Sequence, residues 1–160
     1  ARRVAARARA LVMTAVAHDP YLAPDDAVWR GAERLVDVRD LWRQSDVLSL
    51  HLPLTPETHR LVNGEVLAAL KPETLLINTA RGGIVDENAL IEALAQGRLG
   101  GAALDVFEAE PLSAAAAAPF EGLPNVILTP HIAGATKEAN QRVSQLTVAN
   151  VLAALEATHG

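Results

Sequence analysis

Apolar residues occur along this chain in two alternating rhythms: short continuous runs, and stretches that repeat every three to four positions. Val4, Ala8 and Leu11 fall at helical spacing among four arginines, with no Ser, Thr, Asp or Asn ahead of them as a cap. Residues 13–20 then read as a short strand closed by Asp19 and by Pro20, which cannot continue a central strand. The pattern next predicts a loop over 24–31, a short strand at 34–36, and a helix over 38–44 with Leu41 and Trp42 as its apolar face. A strand follows over 46–53, and Asn63 caps a short helix that runs to Leu70 and is stopped by Pro72.

Residues 75–94, LLINTARGGIVDENALIEAL, are the centre of the pattern. A strand at 75–77 runs into a polar turn holding Arg81, Gly82 and Gly83, and Asp86 opens a helix with Leu90, Ile91 and Leu94 apolar. Gly97 is placed to terminate that helix. A strand over 101–107 leads into residues 108–111, and the alanine run at 114–118 is either a loop insertion or one helical turn. The last strand covers 125–131, and Thr136 caps a long helix in which Val148, Val151, Leu152 and Leu155 repeat at i, i+3, i+4, i+7. Strands alternating with helices over short connections predict an α/β domain, a doubly wound parallel sheet covered on both faces. No internal repeat is present.

With 160 residues, half of them apolar, the chain supports one full-sized core. It has no uncharged apolar run of about 18 residues, so a membrane span is not expected. The net charge of −5, with 14 scattered Lys and Arg, argues against a nucleic-acid surface and for a small ligand. The lack of cysteine removes disulfides and thiolate metal sites and fits a reducing cytoplasm. The amino-terminal residues carry charge without the apolar core of a secretory signal and read as a helix already under way.

Parallel strands share one carboxyl edge, so polar groups just beyond their ends converge there from distant parts of the chain. Asp19, Arg81, the segment from Asp105 to Glu110, and His131 all stand at such positions. Asp19 reads equally well as an acceptor for a ribose diol or as a turn residue before proline. Arg81 offers a planar fork of donors suited to a carboxylate, and its flanking glycines let a ligand approach; the alternative is an ion pair with a sheet-edge acid. His131 is either a satisfied surface residue or a general acid-base. Glu110, with Glu108 competing, is a candidate to orient it. His18, His51, His59 and His159 take the structural reading, and no metal-ligand spacing occurs.

Taken together, NTARGGIVDENAL, GAALDVFEAEP and LPNVILTPHIAG, in this order, resemble the nucleotide-binding domain of the D-isomer-specific 2-hydroxyacid dehydrogenases. The resemblance implies a Rossmann-like sheet and NAD-dependent, reversible hydride transfer at the 2-carbon of a small hydroxy or keto acid. It places the substrate-binding arginine on Arg81, the acid-base histidine on His131 and its orienting glutamate on Glu110, where the similar formate dehydrogenases carry glutamine. Asp19 would hold the adenosine ribose, favouring NAD over NADP. The backbone at Thr79 and Ala80, the Asp105 side chain, and His131, Ile132, Ala133 and Gly134 would line the nicotinamide end. It also implies a homodimer formed through this domain, with the apolar face of the helix after Asp86 and the alanine-rich loop as the expected surface.

The chain departs from that pattern in several places. The family's first strand and glycine-rich phosphate turn are not in it, Ala1 aligning with the last small residue of the turn, so residues 1–160 are expected to form a partial NAD-binding domain without a substrate domain. Weak NAD binding and no turnover by the isolated chain are expected in consequence. Val12 replaces a glycine usual before the second strand, and the alanine run is atypical. The alternative is an NAD-sensing scaffold of the same fold that binds partner proteins. A single-domain structural protein is disfavoured by the four polar groups at strand ends.

Overall fold

In the computed structural model, residues 1–159 are described, with side chains through residue 157, so the side chain of His159 lies outside the described residues. The chain opens with α1 (Arg2–Ala10), continues through β1 (Val16–Ala17) to β2 (Glu33–Arg34), and reaches α2 (Val38–Gln44). The core unit follows: β3 (Val47–Leu50), α3 (Gly64–Ala69), β4 (Leu75–Asn78), α4 (Glu87–Ala95), β5 (Gly101–Leu104), α5 (Ala114–Ala117), β6 (Val126–Leu128) and the long α6 (Lys137–His159). All strand pairings are parallel, in the orders β1-β2 and β3-β4-β5-β6.

The expected single sheet is thus in two pieces, because no described strand bridges β1 to β3. In the common doubly wound order the first strand lies between the second and the fourth. The strands are also shorter than their apolar runs. Val106 and Phe107 are buried beyond the end of β5, but in a turn, where Phe107 meets Phe120 edge to face with ring centroids 6.4 Å apart. Burial without ladder bonds looks like strand in a sequence. The stretch expected as a plain loop over 24–31 contains a 3₁₀ turn, Ala27–Gly31, capped by the Asp26 carboxylate, which accepts from the Val28 amide at 2.8 Å. The alanine run forms one helical turn, capped by Ser113.

Helix boundaries follow the capping chemistry closely. Asn63 accepts from the Glu65 and Val66 amides, Asp86 from the Ala89 amide and Thr136 from the Ala139 amide, each satisfying a donor that the first helical turn leaves free. Leu90, Ala93 and Leu94 of α4 are buried with Leu67 of α3, Leu76 of β4 and Ile84 in one core. A fully buried leucine contributes about 2 kcal/mol. The apolar face expected to form a dimer surface is therefore used inside the domain itself. By contrast Val148, Val151, Leu152 and Leu155 of α6 each remain more than half exposed.

Two helices end in the same way with different residues. At the end of α4 the Gly97 amide donates to Leu94 and the Arg98 amide to Ala93, with Gly97 at φ +65°. At the end of α1 the Val12 amide donates to Arg9 and the Met13 amide to Ala8, with Val12 at φ +66°. Both are paired-bond caps that need a left-handed residue, a conformation glycine adopts freely and a β-branched side chain resists. Val12 is 94% exposed, so its side chain offers no packing in return. Val12→Gly should stabilise the fold by about 1 kcal/mol, the left-handed cost less the added chain entropy of glycine. For a domain of this size that is a rise of about 2–4 °C in Tm. Thermal unfolding of the variant beside wild type measures it, and an unchanged or lower midpoint would show that Val12 is not strained.

Candidate functional site

Register assembles the site. Leu50, Asn78, Leu104 and Leu128 are direct ladder partners across β3, β4, β5 and β6. The residues that follow them, His51, Thr79, Asp105 and Thr129, therefore leave the sheet along one carboxyl edge. A cleft of about 560 Å³ opens there, lined by Ala1, His51, Leu52, Pro53, Leu54, Thr79, Ala80 and Arg81. The amino-terminal end of α1 faces the same cleft, bringing a positive helix end to it.

Arg81 is carried by a turn that Asn78 closes. The buried Asn78 side chain donates from Nδ2 to the Arg81 carbonyl at 2.9 Å and accepts the Ala80 amide on Oδ1 at 3.0 Å. The Arg81 guanidinium is exposed, donates to the Ala80 carbonyl at 2.7 Å, and forms no ion pair among the described residues. Its neighbour Gly82 is a contact point: a Cβ there would lie 1.9 Å from the carbonyl carbon of Phe107. Only a residue without a side chain lets the Arg81 turn lie against the turn that follows β5.

That second turn carries Glu110. Its Oε2 meets His131 Nδ1 at 2.8 Å, and its Oε1 accepts the Phe107 amide at 3.0 Å. These two bonds, that from His131 first, hold the Glu110 carboxyl below the usual range, with the positive charges of His131 and Arg81 adding to them. Glu108, the competing partner, pairs with Arg60 instead, Arg60 Nε lying 3.3 Å from Oε1.

His131 stands at φ +53°, a left-handed position for a residue with a side chain. Asp105 holds it there. This carboxylate, 3% exposed, accepts from the Thr129 hydroxyl at 2.5 Å, the Ile132 amide at 2.9 Å and the Ala133 amide at 2.9 Å. Burial opposes its charge, but these three donors and the nearby His131 outweigh that and keep its carboxyl below the usual range. Asp105, Ile132 and Ala133, all expected at the nicotinamide end, are bonded to one another: the Asp105 carboxylate takes both amides and so supports the backbone at His131. Gly134 follows with open space where a Cβ would stand.

Asp19 lies beyond β1 and caps its own turn, Oδ1 accepting the Tyr21 amide at 2.9 Å. Two residues escaped the sequence reading. His51, read as structural, lines the cleft and is bonded to Ser49 at 3.0 Å, and burial above all lowers its pKa. Asn78 carried a readable signal in its place, the last strand position before the turn it closes.

A model of the D-isomer specific 2-hydroxyacid dehydrogenase NAD binding domain matches residues 1–133. The chain belongs to this family. It is 52% identical over 97% of its length to an (S)-sulfolactate dehydrogenase of Chromohalobacter salexigens, of which it covers 50%. Among solved structures, the D-lactate dehydrogenase of Aquifex aeolicus, complexed with NAD and lactic acid, superposes with a TM-score of 0.82 at 34% identity over 97% of this chain and 50% of that one. The D-mandelate dehydrogenase of Rhodotorula graminis gives 0.84 at 36% identity over 94% and 43%. The chain thus spans half or less of these relatives, the share that corresponds to the NAD-binding domain of 2-hydroxyacid dehydrogenases.

Asp105 and Glu110, the depressed carboxyls of this site, contribute a pH dependence to the domain's stability. A carboxyl whose folded pKa is below its unfolded value stabilises fully above the unfolded value, about 4, and loses that contribution as pH falls through the folded one. Asp105→Asn should cost about 2–3 kcal/mol at pH 7, because an amide cannot accept all three donors, and should flatten the acid side of the stability curve. Urea unfolding of both proteins between pH 7 and acid measures this; parallel acid limbs would refute the assignment.

Proposed function

We propose that this domain works in an NAD-dependent oxidoreductase acting on a small D-2-hydroxy acid or the corresponding 2-keto acid. The observation that carries the reading is the Glu110–His131 pair standing at the same sheet edge as Arg81, which forms no ion pair among the described residues. NAD fits the residues present. The cleft beside the positive end of α1 suits a pyrophosphate, and Asp19 keeps Oδ2 for a ribose diol while Oδ1 caps its turn. Thr79, Ala80 and residues 131–134 would hold the nicotinamide end. When bound, the cofactor supplies or accepts the hydride.

The chain's own residues account for the rest. Arg81 clamps the substrate carboxylate in a bidentate pair and draws charge toward the 2-oxygen. Nδ1 of His131 is committed to Glu110, so Nε2 is the atom that gives a proton to the developing alkoxide in reduction and takes it in oxidation. The Glu110 carboxylate stabilises the imidazolium and fixes the ring. The substrate's remaining groups meet the other half of the complete protein, which chooses among hydroxy acids. A homodimer and a cytoplasmic location belong to the same proposal, supported by the exposed apolar residues of α6 and by a composition without cysteine.

Two measurements test it. In the complete protein, Arg81→Ala and His131→Gln should each lower kcat/KM for NADH-dependent reduction of small 2-keto acids by about 10²- to 10⁴-fold. Wild-type protein without turnover on any of them would refute the enzymatic reading and leave an NAD-binding scaffold. In the 160-residue chain, NADH fluorescence titration should give saturable binding that Asp19→Ala weakens about tenfold, the value of one charge-assisted bond.

A further inference from the structure

Arg60 occupies a left-handed position, φ +50°, and is tied at both ends. Its amide donates to the Gly83 carbonyl at 2.8 Å, beside the Arg81 turn. Its guanidinium pairs with Glu108, Nε to Oε1 at 3.3 Å and an amino nitrogen to Oε2 at 3.3 Å, and stands 3.7 Å from Asp86. The segment 60–62 is also joined to 83–86 by the Val62 amide on Ile84 and the Asp86 amide on Val62. Glu87, in the first turn of α4, accepts the Glu108 amide at 2.5 Å. Glu108 is therefore held both by its backbone and by its carboxylate, two residues before Glu110.

We propose that Arg60 and Glu87 are positioning residues for the acid-base pair: together they clamp the 106–110 turn against Gly82 and so bring Glu110 onto His131. The arrangement is physically constrained. Asp86, Glu87, Glu108 and Glu110 crowd four carboxyls around this turn, and burial together with the nearby Glu108 and Glu110 pushes the Glu87 carboxyl up. Arg60 offsets the crowding at Glu108 and Asp86. Without it Glu108 loses its ion pair and the turn swings toward solvent. Without the Glu87 acceptor the Glu108 amide loses its bond and the turn lifts from Gly82.

This rests on the acid-base reading of His131, and a substrate-free measurement separates the two. Nitrogen NMR of the neutral His131 ring in the 160-residue chain, assigned with His131→Gln, reports whether the proton sits on Nδ1, as a bond to Glu110 requires. Arg60→Ala and Glu87→Ala should move it toward the Nε2–H form, while Glu87→Gln, whose amide oxygen still accepts the Glu108 amide, should not. In the complete protein the alanine variants should lower kcat about tenfold at unchanged KM, with Arg60→Lys and Glu87→Gln recovering most of it. If Arg60→Ala does not fold, Arg60→Met keeps the stem and removes the charge. An unchanged tautomer in folded variants would overturn the proposal even if turnover is found. A shifted tautomer in a protein without turnover would uphold the clamp and refute the dehydrogenase reading.

Discussion

A carboxylate taken out of water is stable only if donors replace the water it has lost. Asp105, at the end of β5, meets that demand with one hydroxyl and two amides from residues 129–133. The price is a rigid path for the chain after β6, and that path carries His131 through a left-handed turn that few residues would adopt unaided. The side chain that would do the chemistry thus owes its place to a buried charge that bonds the residues on either side of it and lies 26 positions earlier in sequence.

The same edge shows how separate turns are made to act together. Gly82 lets the Arg81 turn touch the backbone of Phe107 and Glu108, and Asn78 closes the Arg81 turn from beneath. A shift in one turn is therefore felt in the next, through contacts that a single added carbon would break. Packing of this kind fixes the distance between a carboxylate clamp and a proton donor more closely than either loop could alone. The helices behind contribute firmness: α3 and α4 bury Leu67, Leu90 and Leu94 in one core with Leu76 of β4, so the sheet edge is presented by a stiff support.

Much of this was legible without coordinates. Capping residues marked the starts of α3, α4 and α6, because Asn63, Asp86 and Thr136 each meet a donor that a helix leaves free. Periodicity separated helix from strand, and the placement of Arg81, Glu110 and His131 beyond strand ends followed from the parallel order. Strand ends were less legible. Phe107 is apolar and buried like a strand residue, yet its environment is an aromatic contact in a turn. By spacing alone the choice between Glu108 and Glu110 was also open, and only the family resemblance pointed to Glu110; in the fold Arg60 claims Glu108.

Local chemistry written in the chain settles which segments are helices, which are strands, and which residue types stand at their ends, because caps, periods and turn residues act over a few positions. It also carries the family, through three blocks of residues in order. Pairings between groups tens of positions apart belong to the fold: Glu110 with His131, Asp105 with the amides after His131, Arg60 with Glu108. The reason is geometric. Register across four parallel strands is a relation among distant residues, and a hydrogen bond exists only once that register has brought its donor and acceptor within about 3 Å.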